Sequence, residues 1–377
     1  MSKWEWKKLK DICKKGSSNI KQSDLKDLTG DYPIFGASGY IQNVDFYQRD
    51  RDYIGIIKDG SGVGRTMLLP AFSSVIGTLQ YILPKEGNDI KFINYALQNI
   101  DFSKTVQGAA IPHIYFKDYG ETEILVPPLS EQKRIVKFLD EEFSKIDTLK
   151  TNAETNLKNA KELFYAEQKK TFHEKGSWKT VQLGEIALEY GRGKSKHRPR
   201  NDECLFGGEY PFIQTGDIRN SGKYVVDYTE TYNEIGLAQS KLWQKGTLCI
   251  TIAANIAETA ILTFPCCFPD SVIGFVPNEQ YSSVDFIYYV ILHFRTELQK
   301  ISKGAAQDNL NLAKLESMNF PLPPLSVQKE IVARLDKLSE NVKRLEANYK
   351  QIIADCDELK KSILKKTFEG DSRSSRE

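Results

Sequence analysis

The sequence predicts an α+β protein built twice over: two mixed α/β domains alternate with two long helices that pair as an antiparallel coiled coil. Three observations carry this. The segment Val126-Pro-Pro-Leu-Ser-Glu-Gln-Lys-Arg-Ile-Val136 recurs as Leu322-Pro-Pro-Leu-Ser-Val-Gln-Lys-Glu-Ile-Val332. A seven-residue apolar period follows each copy. Short β-branched and aromatic runs, broken by Gly, Pro and Asp, precede each copy.

Duplication comes first, because a missed repeat misreads the whole fold. Gln132 and Gln328 are 196 residues apart, and Gly108-Ala-Ala with Gly304-Ala-Ala, and Lys170-Thr-Phe172 with Lys366-Thr-Phe368, share that offset. Upstream the offset drifts: Trp4 matches Trp178 at 174, Pro33 matches Pro211 at 178, and Ile76-Gly77 matches Ile273-Gly274 at 197. Since the offset grows from 174 to 196, the second copy is 22 residues longer, chiefly between Pro211 and Ile273. Each repeat thus has a length-variable front and an invariant back, and variable loops on a fixed scaffold are where binding specificity usually resides.

The expected boundaries are a first domain at 1–129, a helix at 130–174, a second domain at 175–325, a helix at 326–370 and a disordered tail at 371–377. In the fronts, Tyr53–Ile57, Val75–Leu83, Thr247–Ala253 and Ala260–Phe264 read as strands, with helices near Ile90–Ile100 and Val284–Lys300. In the backs, Pro127-Pro128 and Pro323-Pro324 stop a strand and put Ser130 or Ser326 where an N-cap belongs.

The second helix places Ile331, Leu335, Leu338, Val342, Leu345, Tyr349, Ile352, Cys356, Leu359 and Ile363 at alternating spacings of 4 and 3, the seam of a coiled coil. The first puts Ile135, Leu139, Ile146, Leu149, Ala153, Ala160 and Leu163 on the equivalent seam, interrupted by Glu142, Asn156 and Glu167. The two seams most simply bury each other within the chain, although the stripe alone also permits homodimerisation. A helix of about 38 residues is roughly 57 Å long at ~1.5 Å per residue.

Composition narrows the function. The chain is 40% apolar and 27% charged with a net charge of +2, so a nucleic-acid surface must come from local clusters. No run approaches the ~20 uncharged apolar residues of a membrane span. The opening MSKWEWKKLKDI is charged and aromatic, without an apolar signal-peptide core, so retention in the cytosol is expected. Six cysteines, Cys266 and Cys267 adjacent and the others scattered, suggest reduced, partly buried thiols rather than a disulfide framework.

The densest chemical feature is Gly191-Arg-Gly-Lys-Ser-Lys-His-Arg-Pro-Arg200, which carries Arg192, Lys194, Lys196, His197, Arg198 and Arg200 with no acid. Such a loop suits a phosphate backbone, where Lys and Arg displace condensed counterions, and arginine forks onto guanine; a solvated loop is the bland alternative. The first repeat has the milder Lys14-Lys15 stretch. Gly36-Ala-Ser-Gly39 and Gln214-Thr215-Gly-Asp217, with Arg219 nearby, are either base-edge contacts or turn chemistry.

Lys58-Asp-Gly-Ser61-Gly-Val-Gly-Arg65 lacks the Gly-Lys-Ser/Thr ending of a nucleotide loop. It reads instead as a glycine turn presenting Lys58, Ser61 and Arg65 to DNA. Its counterpart, Thr251–Ala257 with Asn255, carries no basic residue, so the two domains should read different sequences. Gln107, His113, Gln307 and Asn309 follow the front helices. They suit bidentate contacts to adenine, or the segment is a helix-terminal glycine cap.

Catalytic constellations are not found. His113, His173, His197 and His293 show no metal spacing. There is no Gly-x-Ser-x-Gly elbow and no Asn-Pro-Pro-aromatic tetrad, and Phe268-Pro-Asp270 is not followed by Glu-x-Lys at suitable range. A DNA-modifying enzyme fragment and a coiled-coil scaffold that binds only protein remain as alternatives.

Together these features resemble the specificity subunits of type I restriction–modification systems over essentially the whole chain. The strongest marks are the Pro-Pro-Leu-Ser-x-Gln-Lys-x-Ile stretches from Pro127 and Pro323, then Gly216-Asp-Ile218 and Phe268-Pro-Asp-Ser-Val-Ile-Gly274. The first repeat departs from the pattern with Gly39-Tyr-Ile41. The resemblance implies two target recognition domains held apart by paired helices, each reading half of a bipartite double-stranded site across a non-specific gap. It implies assembly with two methyltransferase subunits and with restriction subunits. S-adenosylmethionine, ATP and Mg are expected on those partners, and no cofactor, metal or catalytic residue on this chain. With one DNA turn covering ~34–36 Å, the helices should hold the readers about one to two turns apart.

Overall fold

The computed structural model describes residues 4–108, 110–173, 178–253, 256–303 and 312–369. The chain divides into two compact units, Met1–Thr155 with Tyr349–Glu377, and Asn156–Asn348. Both cuts fall inside a long helix, Leu129–His173 or Leu325–Glu369, each 45 residues. Each unit is an α/β domain with one half of each helix. Among the described residues no helix is long and apolar enough to cross a membrane.

In the first unit a four-stranded antiparallel sheet runs in the order Cys13–Ser17, Leu79–Pro84, Tyr53–Ile57, Thr66–Leu69. Tyr53–Ile57 is buried throughout, as a continuous apolar run should be. Its side chains alternate between two cores, as a period of two dictates. Ile54 and Ile56 pack with Phe92 and Ile93 of the helix Ile90–Gln98. Tyr53 and Ile57 pack with Ile34, Val44 and Val75 of a smaller sheet. That sheet pairs Gly39–Val44 antiparallel and Ser74–Val75 parallel with Tyr32–Gly36. Asp89 caps the helix by accepting from the N–H groups of Lys91 and Phe92.

The second unit repeats this plan. Ala187–Arg192, Val272–Pro277, Leu248–Thr251 and Thr259–Leu262 follow the same order, and Tyr224–Val225 adds a fifth strand. Leu248 and Ile250 face Phe286, Ile287 and Val290 of the helix Val284–Lys303, while Cys249 faces Trp243 and Phe268. Phe206–Phe212 pairs parallel with Cys266–Cys267, as Tyr32–Gly36 does with Ser74–Val75. The extra residues build the helices Thr215–Asn220 and Glu234–Gln239 and the added strand.

Strand register corrects one expected match. Ile34 pairs with Ser74 and Phe212 with Cys267, while Ile57 pairs with Leu79 and Thr251 with Val272. Both comparisons give an offset of 193, so Ile76 corresponds to Pro269 and not to Ile273. The run Val75–Leu83 is likewise two strands, separated where the Ile76 N–H donates to Phe35 O.

Helix starts also differ from expectation. The carbonyls of Pro128 and Pro324 already accept the N–H groups of Gln132 and Gln328. The helices therefore begin at Leu129 and Leu325, and Ser130 and Ser326 lie inside the first turn rather than at the cap.

In the first unit the helices run antiparallel, with Lys150 on Asp357 at 2.7 Å and Lys360 on Asp147. Ile135, Leu139 and Ile146 share a core with Ile352, Cys356 and Ile363. In the second unit Arg334 reaches Thr171 at 2.7 Å and Glu167 at 3.4 Å, and Ile331 and Leu335 pack with Phe172. Val342 is also buried and Leu338 half-buried.

The strict heptad fails at four positions. Leu149, Leu163, Leu345 and Leu359 are 51%, 51%, 37% and 47% exposed. An α-helix drifts ~20° per heptad against a strict 3.5 repeat. Burial moves to Phe143, Gln168, Thr171 and Phe172 on the first helix, and to Leu364 and Phe368 on the second.

Candidate nucleic-acid interface

The repeated motif has a positional job in both units. Gln132 is buried; its Oε1 accepts from the Asp89 N–H at 2.8 Å and its Nε2 donates to Pro127 O at 2.9 Å. Gln328 does the same, accepting from the Ser282 hydroxyl at 2.9 Å and donating to Tyr281 O and Pro323 O at 2.9 Å. Each glutamine thus staples a long helix to the segment that starts its own domain's helix.

Tyr95 donates to Asp140 at 2.6 Å, and Tyr289 to Asp336, in equivalent places. The repeated phenylalanines close the pattern: Phe368 packs on Phe92 and Phe172 on Phe286, at ring separations of 5.3 and 6.1 Å. Sequence reading found the motifs but missed these roles. The shared offset of 196 for Asp140 and Asp336 was the available signal.

In the first unit the glycine turn joins the central strand Tyr53–Ile57 to the edge strand Thr66–Leu69 as a hairpin. Arg65 O accepts from the Ile57 N–H and Ile57 O from the Gly64 N–H, both at 2.9 Å. Gly64 has φ +85°, and a Cβ there would lie 2.7 Å from Phe102, so only glycine fits without strain. The hairpin is pinned to the Gln107–Ile114 segment. The Gly60 N–H donates to Pro112 O at 2.8 Å and the Ile114 N–H to Lys58 O at 3.0 Å.

Gln107 and His113 exchange backbone hydrogen bonds at 2.8 Å in both directions. The structure therefore brings Lys58, Ser61, Arg65, Gln107 and His113 together. It also removes the helix-cap reading of Gly108, because the helix ends at Gln98. Ser61 and Arg65 are exposed, Lys58 pairs with Asp59 at 2.9 Å, and Gln107 Nε2 donates to Asp118 at 3.1 Å.

Lys14 and Lys15 lie elsewhere, on the edge strand Cys13–Ser17. Adjacent strand residues face opposite sides of a sheet, so the two cannot serve one phosphate face. Lys14 instead shares a concave surface with Arg51, Lys85 and Lys133, three cations that sequence reading missed.

In the second unit Arg192 ends an edge strand, and the basic loop follows it. Gly193 lets the chain pass Phe268 and Pro269, whose carbonyls lie 2.3 and 2.4 Å from where its Cβ would be. Arg192 Nε donates to Asp270 O at 2.7 Å, and Arg200 pairs with the Asp270 carboxylate at 2.8 Å. Arg198 donates to Ser195 O and His197 O at 2.7 Å. Lys194 and Lys196 are exposed, and Gln239 Oε1 accepts the backbone N–H of Lys196 at 2.7 Å. Asp270 and Gln239, which sequence reading did not assign, orient this loop.

The His197 imidazole meets Asp202 at 2.9 Å, and that hydrogen bond holds the Asp202 carboxyl down to about 2. Gln214 is the N-cap of Thr215–Asn220. Its N–H donates to Asp217 at 2.7 Å and its Nε2 to Glu230 at 2.8 Å. Asp217 therefore caps a helix, Arg219 is exposed in the last turn, and Thr215 is half-exposed. Arg200 and Gln214 line one concavity of about 650 Å³ with the stacked pair Phe212 and Tyr232. Asn255, Gln307 and Asn309, the segment Gly304-Ala-Ala and the tail 371–377 lie outside the described residues.

The six thiols are free, five of them buried and Cys204 exposed. Burial pushes the Cys13 thiol up to about 12. The Phe172 ring stacks on His293, 4.9 Å between centroids.

The family model described as the type I restriction modification DNA specificity domain matches residues 1–159 and 175–354. Among curated relatives, the type I restriction enzyme MjaVIII specificity subunit of Methanocaldococcus jannaschii is 25% identical over 98% of this chain and 93% of its own length. The StySPI specificity subunit of Salmonella potsdam is 22% identical over 95% and 86%. Another relative in M. jannaschii, the MjaX specificity subunit, matches at 25% over 67% of this chain and 59% of its own length. Among solved structures, a chain from a type I R-M system studied for complex assembly and conformational transition has a TM-score of 0.76 at 19% identity, covering 96% of this chain and 97% of the other. The HsdS subunit from Thermoanaerobacter tengcongensis has 0.60 at 20%, covering 98% and 97%.

Proposed function

This chain belongs to the type I restriction–modification DNA specificity family and carries two of its specificity domains; from that premise we propose that each domain reads one half of a bipartite duplex site and that the chain itself catalyses nothing. The observation that carries this reading is the doubled plan. Two sheets of the same order present unlike loops, and each domain is stapled by the same buried glutamine to one of two long helices.

In the first unit the hairpin Lys58–Arg65 with Gln107 and His113 faces the DNA. In the second, Lys194, Lys196, Arg198 and Arg200 anchor phosphates beside Gln214, Thr215 and Arg219. The helices are unbroken through the residues where one unit gives way to the other, and they set the gap between half-sites. Methyltransferase and restriction subunits supply S-adenosylmethionine, ATP and Mg chemistry, and the assembly works in the cytoplasm, where the DNA is. The named relatives are specificity subunits of restriction enzymes, which supports this division of labour.

Co-expression with a cognate methyltransferase subunit tests it. Mapped methylation should fall on one bipartite motif with a constant gap. Cleavage or methylation by the purified chain alone, or a single undivided motif, would overturn it.

A further inference from the structure

We propose that His197, Asp202 and Cys204 bind one divalent cation of the zinc class, and that this cation fastens the basic loop of the second unit. The ligating atoms of the three residues all lie within 4.8 Å of one another, with His197 Nε2 2.9 Å from Asp202 Oδ2. One imidazole nitrogen, one carboxylate oxygen and one thiolate sulfur form a set suited to a borderline cation such as Zn²⁺. Mg²⁺ and Ca²⁺ take oxygen ligands instead. Three protein ligands leave a fourth position for water.

The ligand atoms are hydrogen-bonded to one another, His197 Nε2 to Asp202 Oδ2 at 2.9 Å, and a cation would replace that contact, while other bonds hold the three residues in place. Gln239 Oε1 accepts the backbone N–H groups of Lys196 and His197 at 2.7 and 3.1 Å. Asp202 spends its other oxygen, Oδ1, on the Cys204 N–H at 3.1 Å, which caps the short turn Glu203–Leu205. Asn233 Nδ2 donates to Cys204 O at 2.9 Å. His197 and Asp202 are half-buried and Cys204 is exposed, so a cation can enter from solvent.

The Asp202 carboxylate beside it raises the Cys204 thiol in the unliganded chain. A coordinating cation deprotonates such a thiol outright. Binding forms the metal–sulfur bond, releases the thiol proton to solvent and requires the neutral imidazole. Carboxylate and thiolate then offset the two positive charges of the cation. Arg198, Arg200 and Lys196 flank the ligands in sequence, so their backbone is fixed with them. The site stands whether or not the loop meets DNA. The spacing His-x4-Asp-x-Cys is not a usual zinc pattern, and only the fold brings the three together.

The test uses the full chain stripped with chelator and titrated with Co²⁺, a spectroscopic stand-in for Zn²⁺. One Co²⁺ should bind per chain, with a thiolate-to-cobalt absorption band that Zn²⁺ abolishes. Cys204→Ser should remove the band, which is diagnostic because the other five thiols are buried. His197→Gln should weaken Zn²⁺ binding by about 100-fold, at least as much as losing an outer-shell partner costs. Asp202→Asn keeps the capping acceptor, so its equal loss of binding with an unchanged melting temperature separates ligation from folding. A wild-type chain without the thiolate band, or a band that survives in Cys204→Ser, overturns the proposal.

Discussion

Replacing Lys194 and Lys196 together by Ala should flatten the salt dependence of DNA binding without disturbing the loop that carries them. Both lysines serve the loop's internal hydrogen bonds only through the backbone. The Lys196 N–H donates to Gln239, and Lys194 O accepts from the Ser240 hydroxyl at 3.0 Å. Alanine keeps both bonds. The arginines differ, because Arg192, Arg198 and Arg200 spend side-chain donors on Asp270, Ser195 and His197, so truncating them confounds charge with structure.

Each phosphate contact contributes about −0.9 to the slope of log K against log salt. Two lost contacts reduce the slope by about 1.8. Between 50 and 200 mM salt the wild type should therefore lose about 12-fold more affinity than the variant. Fluorescence anisotropy of the assembled complex on its own site, repeated across that range, reads the slope directly. An unchanged slope in a variant of unchanged melting temperature would refute phosphate anchoring by this loop.

Other consequences concern the scaffold. Gln132→Ala and Gln328→Ala each remove two or three good buried hydrogen bonds and should each destabilise the chain by about 3 kcal/mol in chemical denaturation. A loss below about 0.5 kcal/mol would mean the staple is idle. Leu149→Ser and Leu359→Ser should change stability by no more than about 0.5 kcal/mol, whereas Leu139→Ala and Leu335→Ala should cost about 3 kcal/mol; equal costs would restore the strict heptad seam. Gly64→Ala should cost about 2 kcal/mol, because it forces a side chain into a positive φ against Phe102. A neutral melting curve would contradict that geometry.

The repeated motifs were visible as text because the contacts they make are local to the helix starts and ends and tolerate no insertion. Gln132, Gln328, Phe172 and Phe368 keep their spacing for that reason. Short buried strands were legible where every residue is apolar, as in Tyr53–Ile57. The break after Val75 was not legible, because an apolar run does not reveal which sheet each part joins. The seam was read too strictly. Periodicity marks candidates, but the drift of a real helix and the domain packed at each end decide which leucines meet a partner.

At the candidate interface, the basic loop and the glycine hairpin were legible from composition. Asp270, Gln239 and the His197–Asp202–Cys204 trio were not, because residues from separate strands and turns meet there only after folding. For Asp217, left open between base contact and turn chemistry, the structure shows the local alternative: its carboxylate accepts the backbone N–H of Gln214 within its own cap.

The central claim is that the two domains read separate halves of one site, and exchanging a single reader tests it most directly. A chain altered only at Lys58, Ser61 and Arg65, co-expressed with the methyltransferase subunit, should methylate sites in which one half has changed or relaxed. The other half and the gap between them should stay as before. Altered bases in both halves, or an unaltered motif at full occupancy, would contradict the account.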